Sequence, residues 1–230
     1  MSKKPGKQPQ EHNAIENIED ALTKTEQFIE ENKNTLLAIV AVIFVIVGGY
    51  IGVRRFILEP KEKTAQSEMF MAERYFQQDS FRLALEGDGQ YPGFEEIIDD
   101  FGMTKSAKLS NYYAGICYLH LGDYESAIEY LKKFKANDKL VIVVAKGAIG
   151  DAYSELEDYE TAIQYYTEAA DKNPNVLTSA IYLKKAGLVY EKLDDYAKAL
   201  EMYKKIKTQF PGSDEARDID KYIAGAEVHI

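Results

Sequence analysis

One cysteine, three histidines and no surplus of positive charge restrict the chemistry open to this 230-residue chain. Cys117 stands alone, so no intrachain disulfide, CxxC redox pair or cysteine-based zinc set is available. It also lies far from the position just after a signal segment that a lipoprotein needs. His12, His120 and His229 are distant in sequence and fit neither HxxxH nor HExxH, so no metal site is expected. The formal net charge is −10, with −2 on residues 1–34 and −8 on residues 54–230. No basic cluster interrupts that excess, which excludes a nucleic-acid binder, since phosphate contacts need a positive face. Gly87, Gly89 and Gly93 do not have GxGxxG spacing and follow no strand, so they read as turn glycines. Asp99-Asp100 and Asp194-Asp195 are helix neighbours whose side chains point apart, which does not suit paired acid/base work. A packed thiol is the reading for Cys117. The expectation is a non-enzyme without a cofactor.

What the chain does have is one long apolar run. Leu36–Val53 carries no charge, and the uncharged stretch from Asn34 is bounded by Lys33 and by Arg54-Arg55. Twenty helical residues reach about 30 Å, the hydrocarbon thickness of a bilayer. Residues 35–55 are therefore read as a transmembrane anchor. A 34-residue polar prefix and the lack of a small-x-small site argue for a permanent anchor over a cleaved signal. Gly48 and Gly52 have GxxxG spacing, which allows two such helices to approach as a homodimer. The prefix, residues 1–34, is a polar tail in which Ile15, Ile18, Leu22 and Ile29 mark a short amphipathic helix. Orientation stays open. Lys24 and Lys33 precede the run, while Arg54, Arg55, Lys61 and Lys63 follow it, a bias towards a cytoplasmic C-terminal part. Adding Lys3, Lys4 and Lys7 makes it five against four.

After Pro60 the chain repeats itself. GICYLHLGDYESA from Gly115, GDAYSELEDYETA from Gly150 and GLVYEKLDDYAKA from Gly187 share Gly, Tyr at +3, Asp-Tyr at +8 and +9, and Ala at +12. The glycines are 35 and 37 residues apart. Tyr166 and Tyr203 follow at +16, and Pro174 and Pro211 at +24, where the first copy has Leu131 and Lys139. Each copy reads as two antiparallel helices. Gly and Ala sit where they cross, Asp123, Asp158 and Asp195 cap the second helix, and proline stops it. Tyr118, Tyr153 and Tyr190 fill between helices. Two flanking segments extend the array. EKTAQSEMFMAERYFQQ and GFEEIIDDF form a degenerate pair joined by the long linker LALEGDGQYPG, and a terminal helix runs from Ser213. The expected fold is all-α, a solenoid of about four helix pairs with a capping helix over 62–230.

Repeat length, helix pairing and Gly/Tyr/Ala/Pro spacing resemble the tetratricopeptide repeat, a ~34-residue helix–turn–helix unit. An anchor followed by such a domain resembles the YfgM-like ancillary subunits of the bacterial Sec translocon. The stretches LALEGDGQYPGFEEII, YYAGICYLHLGDYESAIEYL and AIGDAYSELEDYETAIQYYTEAA carry that likeness, which covers residues 15–230. It implies a single-pass protein of the inner membrane with a cytoplasmic N-terminus and periplasmic repeats. It also implies a scaffold that recruits chaperones, its partners being Sec translocon subunits, a membrane-anchored periplasmic prolyl isomerase and secretory clients. Arg54 and Arg55 depart from that topology, and a cytoplasm-facing repeat adaptor or receptor is the alternative. In repeats of this kind partners lie on the concave face made by the first helices. The matching positions are Tyr112, Ile116 and Leu119; Gly147, Asp151 and Ser154; Lys184, Leu188 and Glu191. Only Lys184 suits a clamp for an acidic peptide, so the face is expected to take an apolar or helical segment.

Overall fold

The computed structural model describes residues 26, 28–135 and 138–230; the predicted amphipathic helix, except Ile29, lies outside them. Among the described residues there are eleven α-helices and no β-strand. Two compact units divide between Ile57 and Leu58.

The first unit contains α1, Lys33–Val53, which is long and apolar enough to cross a membrane. None of its residues is buried, and Phe44 and Val45 are each 74% exposed. A π-helical turn, Arg54–Leu58, follows it in the chain.

The second unit opens with α2, Glu59–Gln77, which buries Ala65, Met69 and Ala72 at helical spacing. Short α3, Phe81–Glu86, and α4, Phe94–Phe101, pack with it. The predicted long linker is thus partly helical. α3 is the true partner of α2, and the turn between them is a repeat turn in disguise. The Ser80 N–H donates to the Tyr75 carbonyl at 2.9 Å. The equivalent bonds are Asp123 to Tyr118 at 3.0 Å, Asp158 to Tyr153 at 2.9 Å and Asp195 to Tyr190 at 2.9 Å. Ala72, Tyr75, Ser80, Phe81 and Ala84 therefore stand at the five repeat offsets, with Ala for Gly and Ser-Phe for Asp-Tyr. GFEEIIDDF forms α4 as an inserted helix, reached by a tight turn. Gly87 and Gly89 have φ of +84° there, and a Cβ on Gly87 would come within 2.5 Å of the Tyr91 carbonyl. Asp88 locks this turn by accepting from the N–H groups of Gln90 and Tyr91 and from the Tyr75 hydroxyl at 2.6 Å. The rings of Phe76, Phe81, Phe94 and Tyr113 meet beneath it at centroid distances of 4.9–6.4 Å.

Three full pairs follow: α5 (Lys105–Leu121) with α6 (Tyr124–Lys133), α7 (Lys139–Glu155) with α8 (Tyr159–Lys172), and α9 (Ser179–Lys192) with α10 (Tyr196–Gln209). α5 is capped twice. Thr104 accepts from the Ala107 N–H, and Glu62 of α2 accepts from the N–H groups of Lys105 and Ser106. That carboxylate ties the start of the array to its first full repeat, at the positive end of a helix dipole. Asp123, Asp158 and Asp195 cap the second helices as expected, accepting from Ser126, Thr161 and Lys198 N–H. Ala127, Ala162 and Ala199 are fully buried at the crossings. A Cβ on Gly150 would sit 2.7 Å from the Tyr166 ring and 3.3 Å from the Ala162 carbonyl, so only glycine permits this approach. α8 and α10 end before Pro174 and Pro211.

The terminal helix begins later than expected. A 3-10 turn, Glu215–Arg217, intervenes because the Ser213 hydroxyl caps that turn, accepting from Ala216 N–H at 3.2 Å. α11, Ile219–Val228, then buries Ile219, Ile223 and Ala226 against the last pair.

At offset +7 the inter-helix turn needs a left-handed residue. Gly122 supplies it in the first full repeat, but Glu157 (φ 60°) and Asp194 (φ 56°) do so in the next two. Such a conformation costs a side-chain-bearing residue about 1 kcal/mol. Glu157→Gly should therefore raise unfolding stability of the detergent-solubilised chain by about 0.5 kcal/mol, and β-branched Glu157→Val should lower it by about 1 kcal/mol or more. Urea midpoints of the two variants check the sign.

Candidate functional site

The surface lined by α5, α7 and α9 holds the nine residues that spacing assigns to partner contact. Their environments differ sharply. Tyr112, Ile116 and Leu119 are half-buried on α5, with the Tyr112 ring 5.5 Å from Phe134. Gly147 is buried beneath the Tyr182 ring of the next repeat, which leaves no room there for a Cβ. Lys184 is taken up by the cap, pairing with Asp218 at 3.2 Å and lying 4.4 Å from the Tyr222 ring centroid. Leu188 is 39% exposed, and Glu191 is half-buried with no cation within ion-pair distance among the described residues.

Two open hollows gather the rest. The first, about 380 Å³, brings Leu119, Asp151 and Ser154 together with Tyr124, Glu155, Tyr166 and Lys185. The second, about 620 Å³, brings Leu188 and Glu191 together with Lys192, Tyr196, Gly225 and His229. Tyr112, Ile116, Gly147 and Lys184 line neither.

At the heart of the first hollow is a three-membered polar network. Lys185 Nζ donates to both Asp151 oxygens at 2.6 and 2.8 Å, and the Tyr166 hydroxyl donates to Asp151 Oδ1 at 2.7 Å. Each partner comes from a different helix, so the network also joins the second and third full repeats. It is partly exposed, so solvent screens much of the ion pair. Burial first, and then the Asp151 charge, raise the Tyr166 hydroxyl pKa well above the ordinary phenol value. The same two causes push Tyr182 up to about 12. A comparable pair lies nearer the N-terminus, where Tyr118 and Tyr130 both donate to Glu95, at 2.6 and 2.9 Å. Burial, reinforced by that bond, pushes Tyr130 up to about 12. Burial alone pushes the Cys117 thiol up to about 12, so it stays protonated and unreactive at neutral pH.

Sequence spacing missed Tyr124, Glu155, Tyr166 and Lys185. Tyr166 was signalled by its +16 position, shared with Tyr203. Lys185 is recognisable only once the third repeat is stacked on the second. No group of three or more His, Cys, Asp or Glu among the described residues is arranged to hold a metal. Half-exposed apolar side chains beside Glu155 and Glu191, which have no ion-pair partner among the described residues, suit docking of another polypeptide.

Residues 110–139 and 148–214 each match a tetratricopeptide-repeat family model. The fold resembles solved repeat structures, among them a kinesin light chain of Podosopora anserina with nearly identical TPR-like repeats. That match has a TM-score of 0.55 at 14% identity and covers 73% of this chain and 87% of the other. No curated protein matches the sequence. The fold is an all-α tetratricopeptide-repeat solenoid, a type of module that typically binds proteins and is not catalytic.

Tyrosines with raised folded-state pKa values hold their protons after the unfolded chain, near pH 10, has released them. The stability they contribute is complete below pH 10 and is lost as pH rises towards about 12, the value for Tyr130 and Tyr182. Absorbance at 295 nm should show Tyr130, Tyr166 and Tyr182 ionising only together with loss of helical circular dichroism. A single phase near pH 10 with helicity intact would contradict this.

Proposed function

We propose that the chain is a non-enzymatic scaffold, anchored in the inner membrane by residues 35–55, whose repeat domain (62–230) docks protein partners on the first-helix surface. The tail, residues 1–34, stands in the cytoplasm and the repeats in the periplasm. There they associate with Sec translocon subunits and a membrane-anchored prolyl isomerase or chaperone, close to emerging secretory chains. The observation that carries the docking reading is the pair of hollows, with Leu119 and Leu188 accessible beside Glu155 and Glu191. The anchor reading rests on α1, whose apolar side chains cover its whole circumference. Placement at the translocon rests on the likeness of the quoted stretches to YfgM-like proteins.

Arg54 and Arg55, just past α1, favour a second topology with the repeats in the cytoplasm. The chain would then serve as a membrane-tethered receptor or assembly adaptor.

Protease treatment of intact spheroplasts carrying a C-terminal epitope separates the two. Digestion from outside, with translocon subunits recovered when the solubilised chain is affinity-purified, is the expected outcome. Protection until the membrane is broken selects the cytoplasmic adaptor.

A further inference from the structure

The repeat domain has two edges, and its charges divide between them. Because the helices of each pair are antiparallel, the turns within pairs lie along one edge and the connections between pairs along the other. Glu62, near the start of α2, accepts from the first N–H groups of α5, so α2 also begins on the connecting edge. The turns within the full pairs, residues 120–125, 155–160 and 191–196, hold nine Asp/Glu against one lysine. The connecting edge, residues 58–64, 102–108, 134–140 and 171–177, holds seven lysines against four Asp/Glu. A strongly acidic domain thus keeps one positive edge.

Those seven lysines are also the ones left uncommitted. Lys61 and Lys63 open α2, Lys105 and Lys108 open α5, Lys139 opens α7, and Lys135 and Lys172 stand at the ends of α6 and α8. All are exposed, and none has a side-chain ion pair, hydrogen bond or ring contact among the described residues. Every other lysine from α2 onward has one, as Lys133 has Glu129, Lys146 has Glu168 and Lys192 has the Tyr159 ring. Towards the cap the edge neutralises itself, Lys207 pairing with Asp220 and Arg217 with Asp214. Among the lysines the same edge exposes apolar side chains at the starts of three first helices. Met103, before α5, is 74% exposed and Leu177, before α9, is 69% exposed, while Leu140 and Val176 are half-exposed. The leucines of the opposite edge, Leu121, Leu156 and Leu193, are more covered, at 36–39%.

We infer that the connecting edge of the repeats, from α2 to the start of α9, is a contact surface for an anionic lipid bilayer. Its lysines pair with lipid phosphates, and Met103, Leu140 and Leu177 enter the headgroup layer. Lysines interspersed with single apolar side chains are the chemistry of an interfacial contact. Spread over three successive loop tips, they match a broad surface better than one peptide segment. The chain itself supplies proximity, since only the turn Arg54–Leu58 separates α1 from α2. A tether that short makes even a weak surface contact effective. This inference rests on residues 35–55 being a membrane anchor.

The chain has no tryptophan, so single substitutions each report one position. The test reconstitutes the full chain in vesicles of phosphatidylglycerol and phosphatidylcholine whose acyl chains carry bromine, a contact quencher. Leu177→Trp should lose about half its emission relative to unbrominated vesicles, and Leu193→Trp, on the opposite edge, almost none. High salt, phosphatidylcholine alone, or Lys105→Glu, Lys139→Glu and Lys172→Glu combined should restore most of the Leu177→Trp emission. Equal quenching at the two positions, or quenching unchanged by the three glutamates, overturns the inference. Phe44→Trp within α1 separates the failures. If it is quenched and Leu177→Trp is not, the lipid-contacting edge falls and the anchor stands; if neither is quenched, both fall. Leu177→Trp emission that ignores lipid and shifts on addition of poly-glutamate makes the edge a site for acidic polypeptides and overturns the lipid assignment.

Discussion

At each full repeat two helices cross where one side chain is reduced to hydrogen and the facing one to a methyl group. Gly115, Gly150 and Gly187 stand over Ala127, Ala162 and Ala199, and a large residue at +16 (Leu131, Tyr166, Tyr203) lies against the glycine. That approach sets the distance between helices, and so decides which side chains of the first helix reach the next repeat. The turn joining the pair is equally constrained. A tyrosine carbonyl receives the N–H of the capping residue, and the residue before the cap is left-handed. The same turn occurs four times, once with Ala72 and Ser80 in place of Gly and Asp, so the constraint lies in the geometry and tolerates more than one residue type.

Features set by neighbours a few residues away were readable from sequence. The Asp caps, the proline stops and the crossing glycines all belong to that class, because each acts within a single helix pair. The first pair was obscured because Ser80-Phe81 replaces Asp-Tyr and an inserted helix, Phe94–Phe101, follows where the next repeat would begin. The late start of the terminal helix was hidden in Ser213, whose hydroxyl caps a 3-10 turn and not an α-helix.

The proposed docking surface was only half legible, for a physical reason. Spacing along one helix identifies the face, but which residues on it remain available is decided by the adjacent repeat. Tyr182 covers Gly147, the cap occupies Lys184, and Lys185 reaches back to Asp151. What remains open is a pair of hollows, one lined mainly by polar groups around Asp151, Glu155 and Lys185 with Leu119 at its side, the other by Leu188, Glu191, Lys192, Tyr196 and His229, on a repeat domain that carries most of the chain's net negative charge.

The central claim is that partners dock on the first-helix surface, and crosslinking in living cells tests it most directly. A photoreactive residue placed at position 119 or 188 should give discrete adducts with partner proteins. The same residue at 164 or 204, exposed on second helices, should give none. Adducts confined to 164 and 204 would put the docking surface on the opposite side of the array and contradict the account.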